Sequence, residues 1–209
     1  MSSPFFSAHL RNLFSCRSCP SVIGEPVTGA VEGAKVMLIG QAPGPREVVE
    51  KRPFAYTAGR RLFQWFATLG VSESKFRERV YIGAVIRCFP GKNLKGGGDR
   101  VPDPVEISNC GHHLDRELDL LKPDLVVAVG TLAALILTGE ATLSRSVGRK
   151  HRVTRSSHIF DVIVLPHPSG RSTWLNNPSH RELLEQSLEA IRNHPAFVRT
   201  FEPDSSQSR

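Results

Sequence analysis

The sequence is short of several things, and each shortage removes a class of explanation. Four cysteines in 209 residues are too few for the disulfide lattice of a small secreted scaffold. No stretch approaches the ~18 consecutive apolar residues of a membrane span, and the N-terminus lacks the apolar segment of a secretory leader. The expectation is a soluble cytoplasmic protein with no membrane partner, in which the thiols stay reduced. Acidic residues are outnumbered, 20 against 27 Lys and Arg, for a formal charge of +7, which favours a polyanionic partner. Internal repeats are absent. What remains is a chain with 40% apolar residues, enough for one compact domain over residues 1–201. A polar tail, residues 202–209 (EPDSSQSR), reads as flexible.

The cysteines are more informative by position than by number. Cys16 and Cys19 form C-x-x-C near the N-terminus, and Cys88 and Cys110 lie far downstream. Two thiolates from a single turn can chelate one metal centre. Two more from remote segments would complete a four-sulfur shell and pin the N-terminal arm to the core. Ligand type suits zinc and a [4Fe–4S] cluster equally. A turn C-x-x-C plus two small buried side chains is the plain alternative.

Short apolar runs at 35–40, 80–86, 125–129, 147–154 and 159–165 read as strands. Helical spacing predicts helices over 7–14, 60–69, 104–121, 131–137 and 179–191, with Asp103 and either Asn177 or Ser179 as caps. Strand and helix alternate, so a parallel sheet between helical layers is expected. In such sheets ligands sit beyond the carboxyl ends of the strands. Three segments should fall there: 40–59, 88–90 and 167–177.

The first, Gly40-Gln41-Ala42-Pro43-Gly44-Pro-Arg-Glu47, directly follows a strand. It lets backbone N–H groups approach a flat ligand or an anion, but is neither G-x-G-x-x-G nor a Walker sequence. Glu47 is the only carboxylate in its first half. Further along, Phe54 offers a ring for stacking on a base. His167 lies between two prolines, which restrict the loop's path, and a neutral imidazole there can donate a hydrogen bond to developing negative charge. Trp174 and Leu175 are apolar residues in a polar loop, either a wedge into stacked bases or packing for the last helix.

Together these segments resemble the uracil-DNA glycosylase superfamily, in its iron–sulfur-containing class (families 4 and 5). The resemblance runs from about Cys16 to Ile191. It rests on Gly40–Gly44 with Glu47, on Pro53-Phe54 and Ala58-Gly59, on Val80-Tyr-Ile with Cys88, on residues 102–110, and on His167-Pro-Ser-Gly. It implies a three-layer αβα sandwich on a mostly parallel, four-stranded sheet. It further implies a [4Fe–4S] cluster on Cys16, Cys19, Cys88 and Cys110 that takes no redox part in hydrolysis, and so favours iron over zinc. The partner implied is uracil-containing DNA, bound by a monomer that flips the damaged nucleotide into a pocket.

On that resemblance Gly40, Gln41, Ala42, Pro43, Gly44, Phe54, Tyr56, Ala84 and His167 contact the base. Glu47, His167 and Gln41 form the catalytic set, with Glu47 orienting the water and His167 stabilising the uracil anion through O2. Ser169, Gly170, Arg171, Ser172, Trp174 and Leu175 enter the duplex. Four departures stand out. Gln41 occupies a position that is usually Glu in iron–sulfur members. Ala84 stands where the family has a base-reading Asn, which should relax discrimination among deaminated bases. Tyr56 replaces a frequent Gly, and the segment between Cys88 and Cys110 is longer through Gly96-Gly-Gly98. A monofunctional glycosylase leaving an abasic site is the leading expectation. A non-catalytic or suicide binder of uracil or abasic sites is the alternative, and a zinc-bound structural protein the third.

Overall fold

A computed structural model describes residues 3–202 apart from 95, 156 and 171. Residues 203–209, most of the expected tail, therefore lie outside the described residues, as does Arg171. The chain opens with helix α1 (Pro4–Ser15) and passes through an irregular arm to strand β1 (Val36–Gly40). Helices α2 (Pro45–Glu50), α3 (Thr57–Thr68) and α4 (Glu73–Arg79) lead to β2 (Tyr81–Ala84). The long α5 (Pro104–Leu121), β3 (Leu125–Val129), α6 (Thr131–Thr138) and the single turn α7 (Leu143–Ser146) follow. A hairpin of β4 (Lys150–Arg155) and β5 (His158–Leu165), then α8 (Pro178–Arg192) and α9 (Pro195–Phe201), complete the fold.

The sheet has five strands in the order β2-β1-β3-β5-β4, one more than the four expected. The first four are parallel, and β4 joins the edge antiparallel to β5. β4 (KHRVTR) alternates between exposed and half-buried residues, as an edge strand with one wet face does. The central strands β1 (VMLIG) and β3 (LVVAV) are buried throughout.

Strand alternation divides the core into two layers. Met37, Ile39, Val126, Ala128, Val162 and Val164 point to the side covered by α1, α5 and α6. Val36, Leu38, Leu125, Val127, Val129, Ile163 and Leu165 point to the side covered by α3, α4, α8 and α9. Helix α5 is fixed at its start by a capping box: Glu106 N–H donates to Asp103, and Asp103 N–H donates back to the Glu106 carboxylate, each at 2.9 Å.

The irregular arm lies antiparallel along the outer edge of β2. Ile23 N–H donates to Phe89 O, Val27 N–H to Arg87 O and Gly29 N–H to Ile82 O, each at 2.8 Å. The arm thereby covers an otherwise bare sheet edge and carries the C-x-x-C turn to the region of Cys88. Among the described residues no helix is long and apolar enough to cross a membrane.

Candidate active site and thiol cavity

Connections leave β1 and β3 in opposite directions, so the topological switch point lies between them, beyond the strand ends. A cavity of about 120 Å³ opens there. Gly40 ends β1, Gly83 and Ala84 end β2, and His167 follows β5; all four line it, together with Pro43, Gly44, Glu47 and Phe54. Glu47, Phe54 and His167, distant in sequence, thus share one wall-to-wall space.

Phe54 is held in an unusual backbone conformation, φ 50°, which non-glycine residues rarely adopt. Two glycines make room for it. A Cβ on Gly40 would lie 3.0 Å from Phe54 Cζ, and one on Gly59 would collide with the Phe54 carbonyl oxygen. Arg77 of α4 clamps the turn by donating from Nη1 to Pro53 O at 2.9 Å and from Nη2 to Phe54 O at 3.0 Å. Glu47 holds the other side. Its Oε1 accepts from Ala55 N–H at 3.1 Å and its Oε2 from Gly44 N–H at 3.2 Å. One carboxylate therefore ties the Gly40–Gly44 loop to the Phe54 turn while its oxygens border the cavity.

His167 is half-buried against Gly130, where a Cβ would lie 3.5 Å from the imidazole. Ser169 N–H donates to Nδ1 at 3.2 Å. With Nδ1 accepting, the neutral ring carries its proton on Nε2. Burial holds the His167 pKa below the usual histidine value, because a charged imidazole loses its hydration there. The ring is thus a neutral donor rather than a cation near pH 7.

The cavity opens into a wider groove of about 590 Å³ lined by Gln41, Arg46, Tyr56, Lys92, Arg100 and Ser169, among others. Gln41 and Tyr56 border this groove and do not line the inner cavity. Tyr56 is exposed, with the Arg46 guanidinium 5.5 Å from its ring centre. Asp99, which sequence reasoning missed, lines both spaces as a second carboxylate and accepts from Lys92 Nζ at 2.6 Å. It arrives there because Gly96, Gly97 and Gly98 all adopt positive φ and fold residues 92 and 99 against each other. The glycine run was the available signal.

The loop after His167 departs from the wedge expectation. Leu175 is buried in the layer under α8. Trp174 stacks on His180, ring centres 4.1 Å apart and planes 10° apart, and its carbonyl accepts from His180 Nδ1 at 2.9 Å. Both are fixed as packing for the last helical layer. Ser169 borders the groove, Gly170 is exposed, and Ser172 N–H closes a turn on Ser169 O at 3.1 Å.

Where the chain runs on past β2, a second cavity of about 310 Å³ is lined by all four cysteines with Arg87, Asn109 and His113. Burial, reinforced by the neighbouring thiols of Cys110, Cys16 and Cys19, pushes the Cys88 thiol up to about 12. A site crowded with would-be anions has that effect, and a bound cation removes it. Asn109 Nδ2 donates to Ser18 O at 3.1 Å and steadies the C-x-x-C turn. The four thiols come from three separate segments, the C-x-x-C turn, the residue after Arg87 and α5, and share this one space. Behind them lies Arg87, 1% exposed, whose Nε and Nη1 have no hydrogen-bond partner. Four soft sulfur donors in a cavity that a buried, under-partnered arginine also lines fit an anionic metal–sulfur group.

The fold and the two cavities define a three-layer α/β protein with a ring-sized pocket at the switch point and a tetrathiol site beside it. Residues 26–191 match the family model of the uracil DNA glycosylase superfamily, and the chain belongs to that superfamily. It is 31% identical over 192 residues to the type-4 uracil-DNA glycosylase of Archaeoglobus fulgidus, covering 87% of this chain and 89% of that protein. Identity to the type-4 enzyme of Thermotoga maritima is 32% over 189 residues, covering 88% and 90%. For the type-4 enzyme of Sulfurisphaera tokodaii it is 30% over 192 residues, covering 86% and 80%.

Proposed function

We propose that the chain is a uracil-DNA glycosylase of DNA repair, which takes an extruded uracil into the inner cavity, hydrolyses its N-glycosidic bond and leaves an abasic site. The observation that carries this is the meeting of Phe54, Glu47 and His167 round one cavity of about 120 Å³. A base entering beside the Phe54 ring would stack on it. His167 Nε2–H would donate to the O2 oxygen as the leaving uracil gathers charge at N1, joined by N–H groups of the Gly40–Gly44 loop. A neutral donor suits an anionic leaving group that must not be fully protonated in the pocket. Glu47 would hold the water on the opposite face of the sugar and take its proton as the oxocarbenium-like sugar is captured. No lysine is among the described residues lining the inner cavity, in keeping with a monofunctional hydrolase that does not cut the strand.

Gly83 and Ala84 present no side-chain amide to the pyrimidine edge, so other deaminated bases should compete more readily than in a pocket with one. The wider groove, with Arg46 and Lys92 at its sides, suits the phosphates flanking the flipped nucleotide. The protein would act there as a cytoplasmic monomer.

The tetrathiol cavity suits a [4Fe–4S] cluster held by Cys16, Cys19, Cys88 and Cys110. Membership of the superfamily together with the type-4 relatives favours the iron–sulfur group over one zinc ion. When bound, the cluster would supply a cross-link between the N-terminal arm, the end of β2 and α5, and no chemistry in the hydrolysis.

The test is incubation of cluster-replete protein with single- and double-stranded oligonucleotides containing uracil, hypoxanthine or xanthine. Free base release followed by alkali-sensitive cleavage at the modified position is expected. Both Glu47 oxygens accept backbone N–H groups, which gives the non-catalytic reading its one foothold. Stable retention of the oligonucleotide with no free base would select that reading instead.

A further inference from the structure

Arg87 lines the thiol cavity, and neither the hydrolysis nor the thiol set accounts for its buried guanidinium. Its Nη2 donates to Glu117 Oε2 in a fully buried pair. Burial works against the Glu117 carboxylate, but Arg87, His9 and Tyr81 together hold its pKa below the usual range. Glu117 is thus an anion with three donors of its own. Arg87 is the unequal partner: Nε and Nη1 remain without acceptors, in a residue that lines the thiol cavity and whose backbone N–H donates to the Cys110 sulfur. Unpaired N–H groups on a buried cation are rare, and where they occur an absent acceptor is the usual reason. On its other side the guanidinium packs against Gly83, a residue of the base-cavity wall; a Cβ there would lie 3.2 Å from Nη2, a tight contact that glycine avoids.

We propose that Arg87 is a positioning residue that donates hydrogen bonds from Nε and Nη1 to sulfur atoms of the metal–sulfur cluster and braces it against the Gly83 wall of the base cavity. The proposal rests on the reading of the four cysteines as cluster ligands. Thiolate and sulfide sulfurs carry the negative charge that these donors need, and outer-sphere hydrogen bonds of this kind govern how firmly a metal group is kept. Glu117 holds the guanidinium in orientation.

The experiment uses anaerobically purified holoprotein as wild type, Arg87→Met, and the double variant Arg87→Met with Glu117→Leu. Replacing both members of a buried ion pair by apolar residues is commonly tolerated, whereas removing one strands the other. The double variant therefore keeps the test valid even if the single one does not fold. Loss of the cluster absorbance near ~400 nm is followed on exposure to air and to chelator, with thermal unfolding recorded alongside. Iron–sulfur stretching frequencies are compared by resonance Raman. Cluster loss about 10- to 100-fold faster in the double variant, with shifted stretching frequencies and wild-type unfolding temperature, is expected. Wild-type lifetime and frequencies in the double variant would show that Arg87 serves only Glu117 and would overturn the proposal. A colourless wild type would remove the cluster reading and this inference with it, an outcome distinct from a coloured protein indifferent to Arg87.

Discussion

The two cavities are built by opposite means. The base cavity is made largely of small residues: Gly40, Gly44, Gly83 and Ala84 line it, and among the described residues Phe54, Glu47, Asp99 and His167 bring the reactive or stacking groups. The thiol cavity is lined by four cysteines and by Arg87, whose buried guanidinium is tied through Glu117 to His9 and Tyr81. The first needs close approach and a few fixed dipoles, which backbone supplies without mobile charge. The second, with the proposed cluster bound, would have to balance an anionic group inside a protein, which buried counter-charge can do. Chemistry and stability are therefore separable by mutation.

The sharpest separation comes from the base cavity. Replacing His167 by Ala should lower kcat by about 100- to 1000-fold, the usual effect of deleting one donor to developing negative charge. Glu47→Ala should cost about as much through lost water activation. In neither variant should the absorbance near ~400 nm decrease. Single-turnover excision assays and the visible spectrum measure the two sides independently, and a His167 variant that also bleached would break the distinction. Phe54→Ala is expected to reduce kcat/KM by about 5- to 150-fold, corresponding to ~1–3 kcal/mol of stacking, with a wild-type cluster.

The effect of pH is milder. Burial holds the His167 pKa below its usual value of 6.5, so the ring stays neutral as pH falls through 6.5, while an unfolded histidine gains its proton there. Excision should hold level from pH 8 to 6.5 and decline only at lower pH. The contribution of this group to stability shrinks over the same range, because the unfolded chain binds the proton first. A rate that already falls between pH 7.5 and 6.5, and does so only when His167 is present, would contradict the neutral donor. Smallest in activity and plainest in stability is iron removal. It should lower the unfolding temperature by roughly 5 °C or more, at ~2–4 °C per kcal/mol for a chain of this size, by freeing the N-terminal arm. An unchanged Tm would show that the arm is held by its backbone pairing alone.

Much of this was legible in the sequence, and the remainder was hidden for identifiable reasons. β1, β3 and β5 announce themselves as continuous apolar runs, and α5 by its cap and periodicity. The run at 147–154 marked the fifth strand, β4, with its start three residues early; the count of four came from the family resemblance and not from the pattern of the chain. Helices α2, α4 and α9 have six or seven residues, under two full turns, so no period can establish itself. Glu47, Phe54 and His167 could be found because ordered motifs carry them. Asp99, Arg77 and Arg87 could not, since each acquires its role from contacts made across the fold. Trp174 and Leu175 left two readings open, a wedge or packing for the last helix, because apolar residues in a polar loop suit both; in the structure Leu175 is buried under α8 and Trp174 stacks on His180.

The left-handed turn at Phe54 has a kinetic consequence. A phenylalanine at φ 50° sits about 1–2 kcal/mol above its relaxed backbone state, and Arg77 and Glu47 hold it there before any nucleic acid arrives. On the proposed function the ring would have no search to complete when a nucleotide swings out of the helix. Capture would then be governed by how often DNA exposes the lesion rather than by how fast the protein rearranges, the regime suited to patrolling long stretches of undamaged duplex.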